Sequence, residues 1–256
     1  MRNRAEIKAE AKGLVRGGRV SPLVMTALLL VIGFMLDRLV DLIESGSLFY
    51  SYSYLRSYYA AITSGSYDQM LALAAASPQA TALSTFLSIL VSLIMTVLSA
   101  GYYIYCMGLR QGLEMPYSTL LDGFSVAGRL ILCQIIMSVK IFLWSLLFVI
   151  PGIVAAYRYR FAYYNLLTDN SLSASGAIAL SCQQTRGIKG ELLLLDLSFI
   201  GWGLLSLLTL DILSIWLTPY MTLSDLAYFE DAQRRLGRSV YGGGDVPPQQ
   251  DRPWEL

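Results

Sequence analysis

Histidine is absent from all 256 residues, and with it go the commonest general base at neutral pH and the commonest side-chain metal ligand. Any chemistry would have to rest on carboxylates, serine, tyrosine or cysteine. Cysteine is sparse as well. Cys106, Cys133 and Cys182 stand apart with no C-x-x-C spacing, which gives neither a disulfide framework nor a zinc site, and as small apolar side chains they suit a buried setting. Charge is scarce: Asp, Glu, Lys and Arg make up 14% of the chain, against roughly 25% in soluble domains. The net charge of +1 implies no general attraction to nucleic acid. Nor is a cofactor expected, because the GGGD run at 242–245 follows no strand and opens no helix, as a phosphate loop must.

What is present is apolar: 55% of the residues. A membrane-crossing helix uses about 20 residues, so six of them occupy nearly half the chain and leave no room for a soluble catalytic domain. The expected fold is all-α, a polytopic transmembrane helical bundle of six spans. It divides into a basic amphipathic cytoplasmic arm at 1–20, a transmembrane domain at 21–236 and a disordered cytoplasmic tail at 237–256. The arm carries Arg2, Arg4, Lys8, Lys12, Arg16 and Arg19 with Ile7, Ala11, Leu14 and Val15 between them. This pattern reads as a surface helix that docks anionic lipid or a partner, or as a topogenic basic flank.

The first span covers Ser21 to Asp41. A Ser- and Tyr-rich region follows from Glu44 to Ala80, whose tyrosines form either an interfacial belt or an aromatic ligand patch. No charged residue lies between Asp68 and Arg110, which marks the second span at Thr81 to Leu109. The third is Arg129 to Phe148, and the Pro151-Gly152 step after it is expected to break the helix. Residues 151–169 form the fourth span, Leu192 to Leu210 the fifth and Ile212 to Phe229 the sixth, the last expected to be interrupted at Pro219.

Charge placement decides the count. With six spans and both termini cytoplasmic, fourteen of the 19 basic residues fall on the cytoplasmic side, as the positive-inside bias requires. Only Arg56 falls outside. If 151–169 did not cross, Arg186 and Lys189 would move outside. The arrangement places Arg158 and Arg160 about 10 to 14 Å past the Pro-Gly step at 1.5 Å per residue, near the bilayer midplane. A lipid-facing arginine there costs roughly 2.5 to 3.5 kcal/mol, so both need partners. The candidate polar cluster is Lys140, Arg158, Arg160, Asp196, Asp211 and Asp225, with Tyr157, Tyr159, Tyr163 and Tyr164 around the arginines. Residues two apart on a helix face different ways, so one acid does not serve both arginines. Two readings stand: ionic contacts that fix helix packing, or a cavity for anions or lipid headgroups.

Several segments resemble a family of bacterial integral membrane proteins known as domain of unknown function 975. They are RAEIKAEAKGLVRG in the arm, IPGIVAAYRYRF, Ser181 ahead of TRGIKGELLLLDLSFIGW, and Pro219-Tyr220 followed by Tyr228-Phe229-Glu230. Thr185 departs from the family pattern, where an apolar residue is usual, as do Arg158 and Arg160. A more distant similarity links the chain to the membrane domain attached to some glycerophosphodiester phosphodiesterases, but the histidines of such hydrolases are lacking. The resemblance implies the fold and lends no chemistry.

The function expected from the residues is therefore non-enzymatic: a multi-pass cell-membrane component that binds lipid or a protein partner, in contact with the bilayer and with anionic lipid at its arm. The alternative is a small-solute, anion or lipid transporter or channel, since interrupted helices often mark solute sites. An intramembrane enzyme using Asp196 or Asp225 lacks a nucleophile or paired-carboxylate motif.

Overall fold

A computed structural model describes residues 2–17, 21–45, 50–64, 68, 71, 82–209 and 212–241. Asp211 and the tail from 242 onward lie outside them. The described residues contain helices and no strand. In chain order the helices are α1 (Arg4–Gly17), α2 (Pro22–Ser45), α3 (Tyr50–Ser64), α4 (Ala82–Arg110), α5 (Ala127–Leu147), α6 (Val149–Tyr159), α7 (Ala162–Thr168), α8 (Ala174–Gln184), α9 (Lys189–Leu208) and α10 (Ser214–Arg235), with a 3-10 segment at Tyr117–Val126. The chain divides into two compact units, one of residues 1–27 and 96–256, the other of residues 28–95.

The smaller unit holds most of α2, all of α3 and the first half of α4. Val31, Phe34 and Met35 on α2 and Phe86 and Ile89 on α4 are exposed, as lipid-facing side chains would be. Arg38 is paired with Asp41 three residues on at 2.7 Å and lies over the Phe34 ring. The region 44–80 was expected as a Ser/Tyr-rich connection, yet it contains the helix α3.

In the larger unit, α5 and α6 pack side by side as a helical hairpin. The joint is not at Pro151-Gly152. It is the single extended residue Phe148, at φ −161° and ψ 152°, and α6 begins at Val149 with Pro151 as its third residue. Proline is tolerated there because a first-turn N–H has no partner within the helix. Gly152 has a different task. A Cβ at this position would collide with Ser145 on α5, so glycine lets the two helices of the hairpin touch.

Pro219 does not interrupt its helix either. It is the sixth residue of a continuous α10, leaving the carbonyl of Ile215 without its usual donor while the buried remainder of α10 holds the helix in place. The 3-10 segment lies directly on α4: a Cβ on Gly101 would strike the Leu120 backbone, and one on Gly123 the Val97 carbonyl. The core of this unit gathers Ala100 of α4, Leu130, Cys133 and Met137 of α5, Ala155 and Tyr159 of α6 and Ala177 of α8.

The arm α1 packs along α10. Ile7, Ala11 and Val15, spaced four apart on one face, are 0%, 0% and 4% exposed. Its apolar stripe is thus turned into the protein and not onto a surface.

Candidate functional site

The site is built where α6 ends. After Tyr159 the chain turns through Arg160 and Phe161 into α7, and the turn frees backbone groups that a helix would have paired. Ser181 of α8 takes up two of them: its Oγ donates to the Arg158 carbonyl at 2.8 Å and accepts from the Phe161 N–H at 3.1 Å. Thr185 Oγ1 shares its one hydrogen between the Ser181 carbonyl at 2.9 Å and the Arg158 carbonyl at 3.3 Å.

The turn directs the Arg160 guanidinium between α9 and α10. Its Nη1 and Nη2 donate to the two carboxylate oxygens of Asp196 at 2.6 and 2.8 Å, and its Nε donates to Asp225 Oδ1 at 2.7 Å. The Asp196 contact is the bidentate fork that planar guanidinium favours. Tyr157 donates its hydroxyl to Asp196 Oδ2 at 2.7 Å and Tyr164 to Asp225 Oδ2 at 3.2 Å. The Arg160, Asp196 and Asp225 side chains are 22%, 30% and 11% exposed. One positive and two negative groups leave the trio with a formal charge of −1.

Of the six residues expected in the polar cluster, the structure brings these three together. Lys140 stands aside with Nζ 5.9 Å from the Tyr159 ring centroid, at the outer limit of cation–π contact. The Arg158 side chain makes no ion pair with a described residue; its part in the turn after Tyr159 is played by its carbonyl. Asp211 lies outside the described residues. A cavity of about 30 Å³, lined by Met107, Met115, Leu167 and Tyr241 among others, has room for about one water, and none of the trio lines it. Among the described residues no group of His, Cys, Asp and Glu could hold a metal ion.

Two further polar assemblies were not expected from the sequence. In the first, Arg110 at the end of α4 reaches Glu230 on α10 through Nε at 2.5 Å and Nη2 at 2.8 Å, and Glu10 on α1 at 3.1 Å. Arg2 joins by bonding Asp231 and Glu10, and Tyr241 donates to Glu230 at 2.5 Å. This clasp holds the arm, α4 and the end of α10 together. In the second, Asn165 and Gln184 exchange amide hydrogen bonds at 2.9 and 2.8 Å in the interior. The only advance signal of the clasp was Arg110, the first charge after a long uncharged run.

Lys8 projects from α1 onto α9 and α10. Its Nζ bonds Ser198 Oγ at 3.1 Å and lies 4.4 Å from the Phe199 ring centroid and 5.7 Å from that of Tyr220. Burial pulls its ammonium below the ordinary lysine range, and nearby Arg4 adds to the shift. In the connection between α7 and α8, Asp169 accepts from the Ser171 hydroxyl at 2.5 Å and from Arg238 at 3.1 Å. The Ser171 hydroxyl is the main cause holding this carboxyl below its usual range, against the opposing cost of burial, with further help from the Ser171 N–H, Arg238 and Arg129.

These features define a class: an all-helical protein in which three helical stretches, Pro22–Ile43, Thr85–Arg110 and Tyr117–Leu147, are long and apolar enough to cross a membrane. Comparison with known proteins then places it. The chain belongs to the family described as protein of unknown function DUF975, which matches residues 1–156 and 146–235. No curated protein and no solved structure matches it, and the likeness to the glycerophosphodiester phosphodiesterase membrane domain gains no support.

Proposed function

We propose that this protein is a multi-pass component of the cell membrane that works by binding a protein partner or lipid and not by catalysis. The observation that carries the reading is the closure of the Arg160, Asp196 and Asp225 trio. Its charged groups are taken up by one another and by two tyrosine hydroxyls, while Phe142, Leu143 and Leu146 to Ile150, and Leu193, Leu194, Leu197, Ile200 and Leu204, face outward. Such a molecule offers surface, and the carboxylates that could act as acid or base are occupied. Co-purification after mild crosslinking should recover a reproducible protein or lipid; a clean monomer with neither refutes the reading.

The topology proposed with it is six crossings, formed by α2, α4, α5, α6 with α7, α9 and α10, with both termini cytoplasmic. Support comes from the hairpin tip. Leu146, Leu147, Phe148, Val149 and Ile150 are 62% to 74% exposed, which favours lipid, yet the joint at Phe148 leaves helix-end N–H and C=O groups that need water or headgroups. An interfacial depth satisfies both demands, and α5, with 21 residues, is about 31 Å long, close to the roughly 30 Å hydrocarbon core. Arg160 lies 11 residues past Val149, Asp196 12 before Leu208 and Asp225 11 after Ser214, so all three stand about 16 to 18 Å from their helix ends. The clasp from Arg2 and Glu10 to Asp231, Glu230 and Arg110 keeps the arm and the end of α10 on one side. Reporter fusions at Gly152 and Ser171 test the scheme: outside at the first and inside at the second is expected, and outside at both refutes the hairpin.

A second reading, transport of a small solute, anion or lipid, is favoured by the unequal charge of the trio at mid-depth. Reconstituted vesicles that show no flux beyond an Arg160→Gln control refute it for each solute tested.

A further inference from the structure

The side chains of α1 sort into three stripes. Ile7, Ala11 and Val15 are buried against the protein. On one flank Arg2 and Glu10 are engaged in the clasp. On the other flank Arg4, Lys8, Lys12 and Arg16 follow one another at intervals of four, a spacing that aligns them along one side of a helix. Arg4, Lys12 and Arg16 are exposed and make no ion pair with a described residue. Lys8 shows where this flank leads: its ammonium rests on Ser198, Phe199 and Tyr220. Ser198 shares a side of α9 with Leu194 and Trp202, four residues to either side, which are 48% and 42% exposed, and Glu191 ends that side at the start of the helix. A row of unpaired cations therefore adjoins an exposed apolar helix face.

We infer that this flank of α1 is a binding site for anionic phospholipid. The exposed members of the row, Arg4, Lys12 and Arg16, take the headgroup phosphates, and the neighbouring α9 face receives the acyl chains. The juxtaposition fits a molecule with an anionic head directly attached to an apolar body, which an acidic peptide or free phosphate does not match. It also sets the mode of contact. Because the apolar stripe of α1 is buried in the protein, the arm contributes charge and no inserted hydrophobic face, so its lipid contact is electrostatic and screened by salt. The inference rests on the membrane-component reading and names the lipid class it binds.

The test uses the full-length protein in detergent, titrated with phosphatidylglycerol or phosphatidylcholine and read by native mass spectrometry. The wild type should retain phosphatidylglycerol in preference, and the preference should collapse when ionic strength rises to about 1 M, where the screening length shrinks to about 3 Å. The triple variant R4Q/K12Q/R16Q alters exposed side chains only and should keep the wild-type thermal midpoint. Each basic residue near an anionic surface is worth several-fold in affinity, so this variant should lose phosphatidylglycerol by about tenfold to a hundredfold with phosphatidylcholine unchanged. An R4K/R16K variant should bind like wild type, because point charges suffice. Equal phosphatidylglycerol retention by the wild type and the triple variant overturns the inference, as does a preference that survives high salt. Capture of a crosslinked partner by a protein without lipid preference would refute this site and leave the broader reading intact.

Discussion

Replacing Arg160 by glutamine removes the single positive charge shared by two carboxylates. The trio then goes from a formal charge of −1 to −2, and Asp196 loses its bidentate fork while Asp225 keeps only the Tyr164 hydroxyl among its bonds described above. Breaking a buried ion pair from one side costs about 3 to 5 kcal/mol. At the roughly 2 to 4 °C per kcal/mol that chains of this length show, R160Q should lower the thermal midpoint by about 6 to 20 °C. Asp225→Asn acts in the opposite sense. It brings the trio to neutrality, and an amide oxygen can still accept from Arg160 Nε, so the loss should stay within about 1 to 2 kcal/mol, the scale of one charged hydrogen bond. Asp196→Asn, which gives up the fork, should fall between them. The double variant R160Q/D225N should be more stable than R160Q alone, because removing the second carboxylate relieves repulsion left by the first change. Thermal stability of detergent-solubilised protein, followed by size-exclusion chromatography after heating, measures all four. The reasoning fails if D225N is as damaging as R160Q, or if the double variant is simply the sum of the two single ones.

Ser181→Ala should leave the Arg158 carbonyl with Thr185 as its side-chain donor and the Phe161 N–H without an acceptor, costing about 1 to 3 kcal/mol in the same thermal assay; Ser181→Thr, which retains the hydroxyl, should recover part of the loss. Gly152→Leu should force the α5–α6 hairpin apart at Ser145, giving a less stable protein and accelerated proteolysis near Phe148, whereas Gly128→Leu, at a glycine with open space around it, should be tolerated. Asp169 has a folded-state pKa held below its unfolded value, so its contribution is complete above the ordinary carboxylate range near about 4 and disappears as pH falls through the lowered folded value. The stability difference between wild type and Asp169→Asn should therefore be constant near neutrality and vanish in strong acid, as read from midpoints across a pH series.

The trio was legible in the sequence because charge inside apolar runs is rare and must find partners, which left few candidates for Arg160. The same rule gave no means of separating Arg160 from Arg158, since their partner sets depend on where the chain turns after Tyr159. The prolines misled for a physical reason. Proline blocks a helix only where an N–H is needed, and Pro151 falls in a first turn while Pro219 is carried by tertiary burial of its helix; the actual joint, Phe148, has no residue-type signature. Periodicity located the apolar stripe of α1, but it cannot tell a lipid surface from a protein one, and the stripe faces α10. The Arg110, Glu230 and Glu10 clasp joins residues 120 and 100 positions apart, each an ordinary charge in its own flank.

The one-residue joint at Phe148 bears on how this protein would be made. Under the proposed topology, a newly synthesised α6 of 11 residues is far short of the about 20 needed to cross on its own, carries Arg158 in its last turn and is followed at once by Arg160. No polar loop separates it from α5, so nothing hydrophilic has to be carried over first. Alpha5 and α6 would leave the insertion machinery as a pair, with the close fit at Gly152 formed during biogenesis, while Arg160 waits for Asp196 and then Asp225 to be synthesised before its charge is matched.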